Sequence, residues 1–220
     1  NTAAVTNSGN LWIWGQATAG ALGNGTSGTG IGVSSPVQVL GAQGGGSPTW
    51  KQISTGVSLI AGIKSDNSLW VWGCNLCGAL GNNITADQSS PVQTINNTQD
   101  WKQVSVDNKC AWNGAAVKND GTLWLWGNNV AGQLGDGTKT HRSSPVQTIS
   151  GGNSWKCVCI SGNSTIAIKN DGTLWTWGCN SGGLLATGNT ISYSSPVQTI
   201  NSTALWLQAA MSQSSMAGIT

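Results

Sequence analysis

The sequence predicts an all-β fold, a β-propeller with four blade repeats spanning residues 1–220, because two motifs recur in register. Leu-Trp-x-Trp-Gly occurs at Leu11–Gly15, Leu69–Gly73, Leu123–Gly127 and Leu174–Gly178. Ser-Ser-Pro-Val-Gln follows at Ser34–Gln38, Ser89–Gln93, Ser143–Gln147 and Ser194–Gln198. The first tryptophan of each pair stands at 12, 70, 124 and 175, so the repeats are 58, 54 and 51 residues long. A period of about 50 residues with glycine-rich turns is typical of a four-stranded propeller blade.

The third repeat shows how each blade divides into four strands. They are predicted at about Trp101–Val106, Ala115–Lys118, Thr122–Trp126 and Pro145–Ile149. Asn-Asp-Gly between the second and third strands is a hairpin signal, since these residues accept the positive φ of a tight turn. Proline is expected at the start of the outer strand, where a missing N–H does least harm. Helical periodicity is absent, which argues against a βα repeat.

The paired tryptophans are predicted to be structural core and not a stacking surface for bases or sugars. Side chains alternate along a strand, so the two tryptophans of each motif point to one face and its other apolar residues to the opposite face. Two apolar faces fit a blade that lies between two neighbouring blades. The predicted core positions are Trp12, Trp14, Trp70, Trp72, Trp124, Trp126, Trp175 and Trp177.

A longer motif in the third repeat carries a family resemblance. The stretch Trp126–Thr138 reads Trp-Gly-Asn-Asn-Val-Ala-Gly-Gln-Leu-Gly-Asp-Gly-Thr, and Arg142, Ser-Ser-Pro-Val and Trp155-Lys156 follow it. This pattern resembles the regulator of chromosome condensation repeat, in the low-charge form of bacterial and phage proteins. The resemblance covers essentially the whole chain, although the fourth repeat departs from it with Gly-Gly-Leu-Leu-Ala at Gly182–Ala186.

The resemblance implies a propeller, usually of seven blades. Because the sequence starts and stops within the same strand of a repeat, we expect the four repeats to be part of a longer protein. The alternatives are a four-bladed ring and closure with a partner copy. Self-assembly or contact with further repeats would cover the apolar blade faces that an open arc exposes.

The low charge of the chain bears on its partners and location. Charged residues make up 7% of the sequence, against about 25% in a typical domain. The basic residues form no stripe, which argues against nucleic-acid binding. No apolar run approaches the roughly 20 residues of a membrane-spanning helix. A neutral, polar β-repeat suits a secreted protein, a cell surface or a virion, and we expect one of these extracellular locations.

Six cysteines allow disulfides: Cys74, Cys77, Cys110, Cys157, Cys159 and Cys179. Structural disulfides and free thiols are both open. The loop of Cys110 is expected on the same face of the propeller as Cys74 and Cys77 of the preceding blade, so that Cys110 could pair with either. Cys157 and Cys159 share one side of a strand, so they are predicted to be buried thiols or to pair with a neighbouring blade. Cys74 and Cys77 form Cys-x-x-Cys, but a helix N-terminus for redox chemistry and a second pair for zinc are absent.

No catalytic constellation emerges, and we expect no enzyme, no cofactor and no metal. The only histidine, His141, lies in a loop, and a nucleophile–base pair would have to use it. The chain has no glutamate. Asp66, Asp120 and Asp171 are turn residues whose local hydrogen bonds explain them.

The favoured function is a structural, adhesion or protein-interaction propeller whose loops bind a protein or a surface glycan. The repeats differ most at Asn24–Val33, Asn82–Gln88 and Asp107–Gly114. Loops on a rigid scaffold usually carry recognition, although these are equally well explained as solvated connectors. One alternative is a lectin that uses Trp112. The other is nucleotide exchange or chromatin association, as the family resemblance implies, which would need a more charged face.

Overall fold

A computed structural model describes residues 1–28, 32–39, 49–95, 98–107, 112–149, 152–200, 205–212 and 215–220. Its seventeen strands follow one another as five antiparallel sheets, here called blades 1 to 5. Blade 1 has three strands, β1 (Thr2–Val5), β2 (Leu11–Gln16) and β3 (Gly32–Gln38). Blade 5 has two, β16 (Gln208–Met211) and β17 (Met216–Ile219).

The three middle blades each have four strands in simple up-and-down order. Blade 2 contains β4 (Trp50–Thr55), β5 (Leu59–Lys64), β6 (Leu69–Gly73) and β7 (Gln88–Gln93). Blade 3 contains β8 (Trp101–Val106), β9 (Asn113–Lys118), β10 (Leu123–Gly127) and β11 (Arg142–Gln147). Blade 4 contains β12 (Trp155–Ser161), β13 (Ser164–Lys169), β14 (Leu174–Gly178) and β15 (Tyr193–Gln198).

The all-β prediction and the four-strand division of a blade are confirmed. The described helical residues are three short 3-10 turns at Thr18–Gly20, Leu76–Gly78 and Ser181–Gly183. The first strands of successive blades contact each other, so they form the inner layer, and the fourth strands are outermost.

The outer strand of the third repeat differs from the prediction, because Pro145 lies inside it and not at its start. β11 begins at Arg142, and its pairing with β10 shifts register between Leu125 and Gly127. A bulge and an outermost position both leave room for a residue that has no N–H to donate.

The apolar core lies between the blades and not within any one of them. Leu123 and Leu125 pack in a cluster with Trp155 and Ile160 of blade 4. Trp126, on the opposite face of the same strand, packs in a cluster with residues of blade 2. The alternation that the sequence predicted therefore sends the two faces of one strand into two different interblade cores.

The two tryptophans of each motif have different surroundings. The second one is fully buried in blades 2 to 4, at Trp72, Trp126 and Trp177. Its indole N–H donates to a loop carbonyl of the preceding blade. The distances are 3.2 Å from Trp72 to Ala21, 2.8 Å from Trp126 to Ala79 and 2.8 Å from Trp177 to Gln133. The first one is half-buried at Trp70, Trp124 and Trp175, and so are Trp12 and Trp14 of blade 1.

Glutamine side chains bridge the inner strands of adjacent blades. Gln103 accepts from the N–H of Val158 at 3.0 Å and donates to its carbonyl at 2.9 Å. Gln52 forms the same bridge to Val104, at 3.2 and 3.4 Å. Two residues further on, the hydroxyls of Ser54 and Ser105 accept from backbone N–H groups of the next blade. An amide that pairs with both backbone groups of one residue satisfies polar atoms that a packed seam would otherwise bury unpaired.

Candidate interaction face

Two kinds of loop meet at one end of the blades, which we call the upper face. It consists of the loops between first and second strands (56–58, 107, 112 and 162–163) and those between third and fourth strands (17–28, 74–87, 128–141 and 179–192). Backbone hydrogen bonds join the two kinds, from Cys74 N–H to Ser58 at 2.7 Å, and from Asn128 N–H to Trp112 at 2.8 Å. The third such bond runs from Cys179 N–H to Asn163 at 2.8 Å.

A fully buried asparagine organises each long loop of blades 2 to 4, at Asn75, Asn129 and Asn180. The Asn129 amide nitrogen donates to the carbonyls of Thr138 and Thr140, both at 3.1 Å. Its oxygen accepts from Leu134 N–H at 3.0 Å. These bonds close the loop around one side chain, so its backbone is held without regular secondary structure. These asparagines are not among the predicted site residues, although an asparagine stands two positions after Trp-Gly in three repeats.

Asp136 adds an ionic link to the loop of blade 3. Its carboxylate accepts from Arg142 Nε at 2.8 Å and from the Thr138 hydroxyl at 2.7 Å. Burial raises the pKa of Asp136, but the hydrogen bonds from Thr138, Arg142 and Asn129 outweigh it and hold that pKa below its usual value. His141 also has a structural role, because its Nδ1 accepts from Asn129 N–H at 2.9 Å. Asp87 and Ser192 provide the equivalent acceptor in blades 2 and 4.

The long loops of blades 1 to 3 also clamp the outer strand of the following blade. A Cβ added to Gly78 would stand 2.4 Å from the Cα of Ser143, and one added to Gly20 would stand 2.3 Å from that of Ser89. The neighbouring backbone bonds run from Asn83 N–H to Ser143 and from Gly25 N–H to Ser89, both at 2.8 Å. The upper face is therefore rigid across the boundary between blades.

Five apolar side chains of blades 2 and 3 are exposed on this rigid upper face, namely Ile84 at 46% and four others that stand close in sequence to the bonds joining the two kinds of loop. Val57, Leu76, Trp112 and Val130 have exposed fractions of 48%, 56%, 37% and 56%. Val57 and Leu76 are close in sequence to the bonded residues Ser58 and Cys74. Trp112 itself accepts the bond from Asn128, which stands two residues before Val130. The two blades touch here, since Gly56 lies against the carbonyl of Asp107. We call these four residues the apolar patch.

The opposite end of the blades has a regular, structural pattern. The Asp120 carboxylate accepts from the N–H and hydroxyl of Thr122 at 2.9 and 2.7 Å, and that hydroxyl accepts from the Trp124 indole at 2.9 Å. Asp66 and Asp171 repeat this turn. The Lys118 ammonium lies 4.9 and 5.1 Å from the ring centres of Trp101 and Trp124. These contacts explain the aspartates as turn residues and the lysine as a cation over two aromatic rings.

The five described cysteines are free thiols, so the disulfide alternative has no support among Cys74, Cys77, Cys157, Cys159 and Cys179. Cys110 and its expected approach to Cys74 or Cys77 lie outside the described residues. Burial raises the pKa of the Cys74, Cys77, Cys157 and Cys159 thiols. These four thiols are therefore poor nucleophiles at neutral pH.

The described part of the chain brings together no three side chains from His, Cys, Asp and Glu. In that same part, no helix has the length and apolar character needed to cross a membrane. Of the loops expected to vary, Asn82–Gln88 is fully described on the upper face. The other two contain undescribed residues, 29–31 and 108–111.

The family model of the "Regulator of chromosome condensation (RCC1) repeat" matches residues 120–168 and 171–214. The ultraviolet-B receptor UVR8 of Arabidopsis thaliana is 29% identical over 197 residues, which are 89% of this chain and 43% of the receptor. This chain therefore spans less than half the length of that relative.

Two solved structures share the fold. Human WBSCR16 superposes with a TM-score of 0.83 at 18% identity, over 99% of this chain and 55% of that one. Prp20p from Saccharomyces cerevisiae superposes with a TM-score of 0.78 at 15% identity, over 97% of this chain and 52% of that one. The yeast structure was described together with the binding properties of Prp20p to Gsp1p and histones. At these identities the likeness shows a propeller fold alone.

Proposed function

We propose that this chain is a non-enzymatic propeller of the regulator of chromosome condensation repeat family that binds a protein partner through its upper face, since the family model matches residues 120–168 and 171–214. The apolar patch supports this proposal most directly. A protein interface usually has an apolar centre with aromatic residues and a polar rim. Val57, Leu76, Trp112 and Val130 provide such a centre, and the polar loops around them provide the rim.

Rigidity supports the same proposal. Association costs less free energy when the binding loops are already ordered, since fewer side chains and backbone torsions must be fixed. Asn75 and Asn129 fix the two loops that present Leu76 and Val130. The clamp between blades 2 and 3 keeps those loops in a constant relative position.

A charge-substitution experiment tests the proposal. The Val57→Asp/Val130→Asp variant is compared with wild type by quantitative affinity capture and mass spectrometry from the native source. We expect at least one captured protein to be lost, because a buried unpaired carboxylate at an interface is costly. The matched control is Ile95→Asp/Ile149→Asp, which places two charges at exposed isoleucines of the outer loops. If both variants capture the same proteins as wild type, the upper face is not the binding surface.

A lectin is the second candidate, because Trp112, with an exposed fraction of 37%, is a partly exposed tryptophan in a loop. Sugar faces stack on exposed aromatic rings, and neighbouring asparagine side chains can bind hydroxyl groups. A glycan array compared between wild type and Trp112→Ala would test this function. Binding that disappears in the variant supports a lectin, and an array without signal excludes it. Nucleotide exchange is the third hypothesis, and unchanged nucleotide release from a small GTPase would count against it.

Contact with further blades or with another copy is part of the proposal. A cavity of about 480 Å³ opens between blades 4 and 5, and its lining includes Ile166, Leu174, Leu184 and Trp206. At the three preceding seams the equivalent loop packs on Trp72, Trp126 or Trp177. Sedimentation at several protein concentrations would detect association between copies.

An extracellular location, on a cell surface or a virion or in a secreted matrix, and an adhesion role are also proposed. The supporting observation is compositional, since asparagine, serine and threonine replace charged residues over the surface of the repeats. Immunogold labelling of intact cells or virions would test it, and labelling confined to the cell interior would contradict it.

A further inference from the structure

The seam between blades 4 and 5 lacks the glutamine bridge found at the two preceding seams. The bridging residue stands two positions after the first tryptophan of the inner strand, at Gln52 and Gln103. In blade 4 that position is Cys157. The serine two residues further along, Ser54 or Ser105 in the earlier blades, is replaced by Cys159.

The facing positions of the next blade change to sulfur as well. The Ser54 hydroxyl accepts from the N–H of Val106, which pairs across its sheet with Gly114. In the same way, the Ser105 hydroxyl accepts from the N–H of Ile160, which pairs with Thr165. The corresponding pair in blade 5 is Met211 and Met216. The chain has only two methionines, and both occupy this seam.

The four sulfur-containing side chains are grouped at this seam. All of them belong to one apolar cluster between blades 4 and 5. Met211 is buried, with an exposed fraction of 7%, and the other three are partly buried. The backbone of Met211 lies next to the Cys159 sulfur, as the N–H of Ile160 lies next to the Ser105 hydroxyl, and Ser105 of blade 3 is a second neighbour of that sulfur. Met211 and Met216 are directly paired neighbours, so their side chains lie on the same face of the sheet.

The two cysteines are too far apart along the strand for a disulfide with each other. Residues i and i+2 of a strand are about 6.6 Å apart, whereas disulfide geometry needs Cβ atoms at roughly 4 Å. Both thiols are free in the structure. Thiolates and thioethers together select soft ions such as copper(I), while hard ions prefer oxygen ligands.

We propose that the seam between blades 4 and 5 binds one soft monovalent metal ion of the copper(I) class, through Cys157 and Cys159 with Met211 and Met216. Binding forms two metal–thiolate bonds and releases the two thiol protons to solvent, with no change of oxidation state. The ion links the inner strand of blade 4 to blade 5 and so takes the place of the missing glutamine bridge.

Anaerobic titration of the 220-residue chain with copper(I) bicinchoninate tests the site. We expect the protein to withdraw one equivalent of copper from the chelator. The Cys157→Gln/Cys159→Ser variant should bind copper(I) about a hundredfold more weakly than wild type, since both anionic ligands are removed. That variant carries the pair already present in blades 2 and 3, so it should fold, and its circular dichroism spectrum and melting curve verify this.

Two further variants make the test specific. Cys74→Ser/Cys77→Ser removes two thiols of the upper face and should bind copper(I) as wild type does. Met211→Ile/Met216→Thr installs the residues of blade 4 and should weaken binding by roughly tenfold. Copper uptake unchanged in Cys157→Gln/Cys159→Ser, or abolished in Cys74→Ser/Cys77→Ser, would overturn the proposal. A wild-type chain that takes no copper from the chelator would overturn it too, and the sulfur cluster would then be apolar packing alone.

Discussion

In blades 2 to 4 the second tryptophan of the motif holds two blades together. The Trp126 ring lies in the core between blades 2 and 3, and its N–H donates to the Ala79 carbonyl. A large apolar group and a satisfied polar group on one side chain explain why tryptophan suits this position better than leucine.

Trp126→Ala should therefore lower the free energy of unfolding by about 3–5 kcal/mol, because it leaves a large cavity and an unpaired buried carbonyl. Urea denaturation measures the loss. Trp112→Ala is the matched control, since that ring is partly exposed, and we expect it to cost less than about 1 kcal/mol. A loss below that figure for Trp126→Ala would show that the repeated tryptophans do not form the core.

Asp136 should make the stability of the loop in blade 3 depend on pH. Its pKa in the folded chain lies below its unfolded value, so its contribution is complete above about pH 4 and is lost as the pH falls through the folded pKa. Wild type should be more stable than Asp136→Asn at pH 7, and the difference should shrink toward pH 2. Melting temperatures of both proteins across this range provide the measurement. A difference that stays constant down to pH 2 would contradict the ionic role.

At the scale of the element, the long upper loops depend on a left-handed glycine and a buried asparagine. Gly78 and Gly183 occupy the same loop position with the same φ of +77°. They differ in surroundings, because Gly78 lies against the backbone of Ser143 and Gly183 has only the Asn189 carbonyl, at 3.9 Å.

Gly78→Ala should thus be clearly more destabilising than Gly183→Ala. Both variants incur the cost of a left-handed alanine, about 1 kcal/mol, and only the first also forces apart two blades. Denaturation of the two variants in parallel separates the backbone conformation from the contact. Equal losses would mean that the loop of blade 2 does not clamp blade 3.

At the scale of the whole molecule, stability comes from seams between similar blades, since every described apolar cluster joins two of them. Such an arrangement makes each blade depend on its neighbours, as in other repeat proteins. The glutamine bridges contribute polar specificity to the seams, because a side-chain amide fits the backbone of only one register of the facing strand.

Gln103→Ala should open the seam between blades 3 and 4 locally. It removes two hydrogen bonds to Val158, worth about 1 kcal/mol each. The backbone amide of Val158 should then exchange hydrogen faster, which mass spectrometry of peptide fragments detects. Gln208→Ala is the control, since Gln208 holds the same position in blade 5 and its side chain is exposed. Unchanged exchange at Val158 would show that packing alone closes the seam.

The sequence by itself determined the repeat, the four strands of a blade and the two apolar faces of each third strand. These features are local, because period, alternation and turn residues lie within one repeat, and they led to the fold that the structure has and to the repeat that the family model matches at residues 120–168 and 171–214. The turn at residues 120–122 is an example, because the hydrogen bonds from Thr122 to Asp120 that hold it lie within three residues of sequence.

Only the tertiary structure decided which blade each side chain meets. Asn129 bonds to carbonyls nine and eleven residues away, and Gln103 bonds to a strand 55 residues away. The same holds for the sulfur cluster. Cys157 and Cys159 are far from Met211 and Met216 in the sequence, but all four lie at one seam in the fold. Spacing along the chain does not specify which positions face each other across a seam, because that depends on how successive sheets pack.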